Sequence, residues 1–275
     1  MALRNILVHL DSGERTAERL KLALNIAKQN DARLVGVFSQ LAKAHRVGVV
    51  SNWPPEDYAR AAAASKAYFE TATVDLSATE WVDLNRGGEA EIIQQMTDLS
   101  RHFDLIITGQ SQRDGEHLVP QDLNEQVIVD SGRPVLVVPY VGHFDSVGER
   151  PLFAWSDARA AARAFSDALA LVTAAANTLV VSIAKPTETD KIAYEEHSLK
   201  LALAHLKAHG IEAKSEQLLV TEIGLMDTLL NRAADHSADL LVIGAFGGHG
   251  YPLFSRGSGS RYMLRHMTMP ILFAH

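Results

Sequence analysis

The sequence predicts an α/β protein of two tandem doubly wound domains, each built on a five-stranded parallel sheet. Three observations predict it. Short apolar runs alternate with helical patterns along the whole chain. The segment Asp104-Leu-Ile-Ile-Thr-Gly109 recurs as Asp239-Leu-Leu-Val-Ile-Gly244. Arg133-Pro-Val-Leu-Val-Val-Pro139 recurs as Met269-Pro-Ile-Leu-Phe-Ala-His275. In each half a glycine closes one apolar strand and a proline opens the next, where it removes no ladder donor. Solenoid units are much shorter than this period, so the repeat reads as two complete domains. They are expected at 1–140 and 150–275, joined by the polar, glycine-containing stretch 140–150.

The first half reads in order. Residues 5–10 form an apolar strand, and 14–29 a helix with Leu20, Leu24 and Ala27 at helical spacing. A second strand spans 33–38. Trp53-Pro54-Pro55 breaks the chain, and the alanine-rich run 57–75 is helical by propensity. Strand 79–84, helix 88–101 and strand 104–108 follow. A long loop, a short helix near 122–131 and strand 134–138 complete the half. The second half repeats the order: strand 152–155, helix 158–176 with Phe165, Leu169 and Val172 on one face, and strand 178–183. Helix 190–209, strand 212–219, helix 222–236 and strand 239–243 come next. A glycine loop, helix 258–267 and strand 270–274 close the chain. The apolar fifth strands, 135–138 and 271–274, need covering if they lie at sheet edges, and pairing one with the other would remove both edges.

Composition narrows the function. Hydrophobic residues make up 47% of the 275 and charged residues 21%, a soluble globular balance. The net charge is −7 and no Lys/Arg block appears, which argues against a nucleic-acid partner. Without cysteine there is no disulfide, thiolate metal site or cysteine nucleophile. No apolar run is long enough to span a bilayer, and the N-terminus lacks a signal-peptide pattern, so a cytoplasmic location is expected.

The most informative segment runs from Gly244 through Gly247, Gly248, His249 and Gly250 to Arg256-Gly257-Ser258-Gly259-Ser260. It leaves the end of a strand, where open α/β sheets bind ligands. Glycines permit close backbone approach, and the helix start at Gly257-Ser258 offers free N–H groups to an anion. Ser258 and Ser260 can add hydrogen bonds or cap the helix. Arg256 is the candidate charge partner for a phosphate. A flexible loop with an ordinary serine cap is the alternative. The loop matches neither a Walker motif nor a dinucleotide fingerprint.

Gly244, Gly247, Gly257 and Ser258 fit, without gaps, the Gly-x2-Gly-x9-Gly-Ser/Thr signature of the universal stress protein family, which the chain resembles over both halves. The resemblance implies an adenine nucleotide alpha hydrolase-like fold, pairing of two such domains, and a homodimer as a further option. It also implies ATP or a related adenine nucleotide as ligand, with Mg2+ accompanying ATP, and a stress-responsive regulatory role. It implies no fixed enzymatic activity. By the family pattern Gly244, Gly247, Gly257 and Ser258 contact ribose and phosphates, and Ile183 sits where the backbone meets adenine. The family's acid at the end of strand one is Asp11 in the first half. In the second half Ser156 holds that position, followed by Asp157, which substitutes only if the turn shifts by one residue.

The first half departs differently. Gln110-Ser-Gln-Arg-Asp-Gly115 replaces the paired glycines, and Asn124-Glu125 lies where Gly-Ser is expected. A glutamate there repels a phosphate at the helix terminus. The first half is therefore expected to be a structural partner, or to hold a different ligand under its 109–125 loop. Other candidates yield to ordinary explanations. His205 and His209 share a helix face without the glutamate of a zinc motif, so no metal site is expected. His249 reads as a solvent-exposed loop residue, and Arg159 and Arg163 as a solvated helix face. No nucleophile, base and orienting acid can be assembled, so no catalytic residue is expected, and at most a slow ATPase. A non-catalytic scaffold that has lost nucleotide binding, or a binder of another small ligand, is the alternative function.

Overall fold

The computed structural model describes residues 3–42, 46–47, 50–51, 53–84, 88–111, 117–184, 189–220, 224–246 and 258–275. The chain divides into two units, Ala2–Asp145 and Ser146–His275.

In the first unit the strands are β1 (Asn5–Leu10), β2 (Arg33–Phe38), β5 (Thr79–Asp83), β6 (Leu105–Gly109) and β7 (Val135–Val138). They are all parallel, in the spatial order β5-β2-β1-β6-β7. Helices α1 (Thr16–Asn30), α2 (Glu56–Ala72), α3 (Glu89–Ser100) and α4 (Leu123–Asp130) connect them. Successive residues such as Ile6, Leu7 and Val8, or Val135, Leu136 and Val137, are fully buried. Strands buried on both faces are what a helix-covered parallel sheet requires. One small element was not expected: a two-residue pair, β3 (Arg46–Val47) with antiparallel β4 (Val50–Ser51). It is too short to carry a periodic signal.

The second unit repeats the plan. Its strands are β8 (Pro151–Ala154), β9 (Thr178–Ala184), β10 (Ala213–Leu219), β11 (Leu240–Gly244) and β12 (Ile271–Ala274), ordered β10-β9-β8-β11-β12 and parallel throughout. Its helices are α5 (Arg159–Ala168), α6 (Thr189–Ala208), α7 (Leu225–Asp235) and α8 (Ser258–His266). Phe165 of α5 packs against Phe153 and Trp155, each with ring centroids 4.6 Å away.

The repeated residues have matching jobs. Asp104 accepts the N–H groups of Arg4 and Asn5 at 2.8 and 2.9 Å, and Asp239 those of Glu149 and Arg150, both at 2.9 Å. Each aspartate thus ties the start of the unit's first strand to the start of its fourth. Pro134 and Pro270 each offer a carbonyl to the neighbouring strand, to Ile106 at 3.1 Å and Leu241 at 3.0 Å. The prolines keep the acceptor and lack only a donor that the ladder does not use there.

The helix expected over 158–176 is shorter. α5 stops at Ala168, and Leu171, Val172 and Ala175 instead make i→i+3 turns to Ala168, Leu169 and Val172. Gly148, at φ +90°, lies so close to the Leu171 carbonyl that a Cβ there would come within 2.2 Å of its oxygen. Leu169 and Val172 remain buried, so the apolar pattern is satisfied without the helix.

Candidate functional site

Strand register fixes which residues of the two units correspond. Ile107 faces Val8 as Val242 faces Phe153, so Asp11 corresponds to Ser156 and Ser12 to Asp157. By the same rule Ser39 corresponds to Ile183. The second unit therefore has no carboxylate at the end of its first strand. Asp157 is exposed, and it accepts the hydroxyl of Tyr194 on α6. That hydrogen bond, with the carboxylate charge, raises the Tyr194 pKa.

Of the glycine loop, Gly244 and Ser258 lie within the described residues, whereas Gly247, His249, Arg256 and Gly257 lie outside them. Gly244 ends β11 under the first turn of α5. A Cβ there would stand 2.4 Å from the Ala161 nitrogen and 2.5 Å from the Ala160 carbonyl carbon. This glycine is needed for strand–helix contact. Ser260, 7% exposed on α8, accepts the Phe246 N–H at 3.0 Å and so pins the start of the loop. Phe246 holds φ +52°, rare for a bulky residue and a mark of local strain. Ser258 opens α8, and its Oγ is buried with no hydrogen-bond partner among the described residues. Ile183, 4% exposed, lies near the carboxyl end of β9.

The first unit holds a polar cleft at the same ends of its strands. It is lined by His9, Asp11, Arg15, Arg19, Gly109 and Asn124 among others, and opens to solvent. Asp11 is engaged on both oxygens. Oδ1 accepts the Gly13 N–H at 2.7 Å and the Thr16 hydroxyl at 2.8 Å, and Oδ2 accepts Arg19 Nη2 at 2.8 Å. Arg19, 3% exposed, also donates from Nε to the His9 carbonyl at 2.6 Å. Burial works to raise the Asp11 pKa, but Arg19, with His9, Thr16 and the Gly13 amide, outweighs it and holds the carboxyl well below the ordinary range. Burial, with Arg19 beside it, pushes His9 down to about 4. Neutral His9 places Nε2 at 2.9 Å from the Ser39 carbonyl, which fixes the proton on that nitrogen.

The sequence singled out Asp11 but not Arg19, His9 or Asn124 as its neighbours. One signal was available: His9 interrupts a central apolar strand, where a buried polar side chain needs a partner. Other sequence candidates separate from both sites. His205 and His209 are exposed, with ring centroids 4.8 Å apart, and Arg163 pairs with Asp167 at 2.9 Å. Among the described residues no three His, Cys, Asp or Glu side chains gather as a metal site, and no helix is long and apolar enough to cross a membrane.

Comparison with known proteins follows the same division. Residues 146–275 match the model of the universal stress protein family. A universal stress protein from Archaeoglobus fulgidus DSM 4304 superposes with a TM-score of 0.71 at 15% identity, covering 98% of this chain and 97% of that one. A functionally unknown protein from Pseudomonas aeruginosa PAO1 does so with a TM-score of 0.60 at 18% identity, covering 99% and 92%. At such identities the likeness is one of fold. No curated protein matches the chain.

Proposed function

We propose, for a chain whose residues 146–275 match the universal stress protein family model and whose first unit repeats the same fold, that the second unit binds ATP or a related adenine nucleotide. Binding then biases a partner-facing surface in a stress-responsive regulator. The observation that carries this reading is the Gly244-x2-Gly247-x9-Gly257-Ser258 spacing between β11 and α8. The buried Ser258 Oγ fits a phosphate oxygen, and the α8 N-terminus favours negative charge. Arg256 supplies a charge partner from the adjacent loop, and Ile183 a backbone position for the base. Mg2+ would accompany ATP on the phosphates rather than occupy a protein cage. The sugar end is poorer, because Ser156 replaces the acid.

That replacement favours a second reading, a non-catalytic interaction protein that has lost the nucleotide. Calorimetry with ATP separates the two. Wild-type chain is expected to bind saturably, and the Gly247→Val, Ser258→Ala double variant to lose at least about tenfold in affinity, the loss of one or two charge-assisted hydrogen bonds. No heat of binding in the wild type would leave the second reading standing.

A further inference from the structure

We propose that the cleft of the first unit is a separate ligand site, built for a small carboxylate that carries a hydroxyl group. The inference does not depend on nucleotide binding in the second unit.

Two buried polar atoms of residues lining the cleft, Asn124 Oδ1 and Arg15 Nε, have no partner among the described residues, and Arg19 Nη1 makes no hydrogen bond to those residues. Asn124 is 4% exposed, and its Nδ2 donates to the Gly109 carbonyl at 2.9 Å. A carbonyl can only accept, so the amide orientation is fixed and the atom left over is the acceptor Oδ1. That Oδ1 is buried with no partner among the described residues. Arg19 engages Nε and Nη2, and the hydrogen bonds of the described residues leave Nη1 unused. Nη1 occupies the space a Cβ on Gly109 would take, 2.2 Å from that position. Arg15 donates from Nη2 to the Pro139 and Gly142 carbonyls at 3.3 and 2.6 Å, while its buried Nε has no partner among the described residues. Two guanidinium donors and one amide acceptor thus line one cleft.

Charge selects the ligand class. Arg15 and Arg19 carry two positive charges, Asp11 one negative, and His9 is neutral. A single negative charge on the ligand balances the remainder. A carboxylate supplies it and matches the planar guanidinium fork. Only a donor satisfies Asn124 Oδ1, and a hydroxyl beside the carboxylate provides one. A phosphate dianion brings one negative charge more than that remainder. A nucleotide sugar finds both Asp11 oxygens already taken. Leu118, Val119 and Leu123 also line the cleft and suit a short aliphatic remainder.

The test uses the full chain and 2-hydroxyisovalerate as probe, with isovalerate, inorganic phosphate and ATP for comparison, read by calorimetry. The hydroxy acid is expected to bind saturably, and isovalerate about tenfold more weakly, for want of the donor to Asn124. Asn124→Leu should erase the difference between the two acids. Leu118→Trp, which leaves the polar cluster intact and fills the cleft, should abolish binding of both. The proposal is overturned by equal affinity for the two acids, by binding that survives Leu118→Trp, or by saturation with phosphate and not with the hydroxy acid. No saturable binding of any probe assigns the three polar atoms to ordered water, and overturns it as well.

Discussion

Asp11, Arg19 and His9 form a buried group whose protonation is set by its own members. The Arg19 guanidinium holds the buried Asp11 carboxylate ionised, and the imidazole beside them stays neutral because burial and the Arg19 charge both oppose its protonation. The sign of the pH dependence follows. His9 falls from 6.5 to about 4 in the folded chain, so between those values the unfolded chain binds a proton that the folded chain refuses. Stability is full above pH 6.5 and declines as pH falls toward 4, by on the order of 3 kcal/mol for a shift of this size. The Asp11 contribution is present above its ordinary 3.8 and is lost below it, in the same direction. Urea unfolding of a Trp155→Phe chain, in which Trp53 and Trp81 report on the first unit, should show a falling midpoint from pH 6.5 to 4. Adding His9→Asn should flatten that slope. A slope unchanged by the substitution would place its origin elsewhere. None of this coupling could be read from the sequence, because a residue in the first strand and one in the first helix meet only once the fold exists. Asp11 itself was legible as an acid at a strand end, though its oxygens serve the fold.

At the scale of elements, the internal repeat carried the most information. The paired aspartates and prolines predicted corresponding strands because each performs a backbone task that every copy of the fold must repeat. Helix ends were less legible. The residues after Ala168 keep a helical apolar pattern, but they form turns where Gly148 packs closely on Leu171. Gly244 looked like a ligand-binding glycine, yet its hydrogen faces the backbone of α5. Backbone cannot swing aside as a side-chain end can. Gly244→Ala should therefore force β11 and α5 apart and cost about 1–3 kcal/mol, as overpacking does. Gly210→Ala is the control: its φ of +80° strains an alanine, but open space surrounds it, so the expected cost is about 1 kcal/mol. Denaturant midpoints for the two variants decide the matter, and a Gly210 variant less stable than the Gly244 variant contradicts the packing role.

At the scale of the whole molecule, the two units share a plan and differ at the same place in the fold. The second has the glycine loop in its sequence and Ser156 at the strand end. The first has Asp11 with Arg19 bound to it, and Asn124 at the start of α4 beside Gly109. Each difference fits the others in its unit: with Arg19 against Gly109 and Asp11 engaged, a nucleotide has no sugar partner, and a small acid has donors. The proposals for the two sites then require selective stabilisation. A ligand at a hundredfold excess over its Kd stabilises the unit it binds by about 2.7 kcal/mol and leaves a unit it does not touch unchanged. Hydrogen exchange followed peptide by peptide reads this directly. ATP should slow exchange in β11 and α8, and 2-hydroxyisovalerate in β6 and α4, each without effect on the other pair. Protection of β6 and α4 by ATP would show that the first unit binds nucleotide despite Glu125. Protection of both pairs by either ligand alone would show that the two sites are coupled, and selective stabilisation would then be wrong.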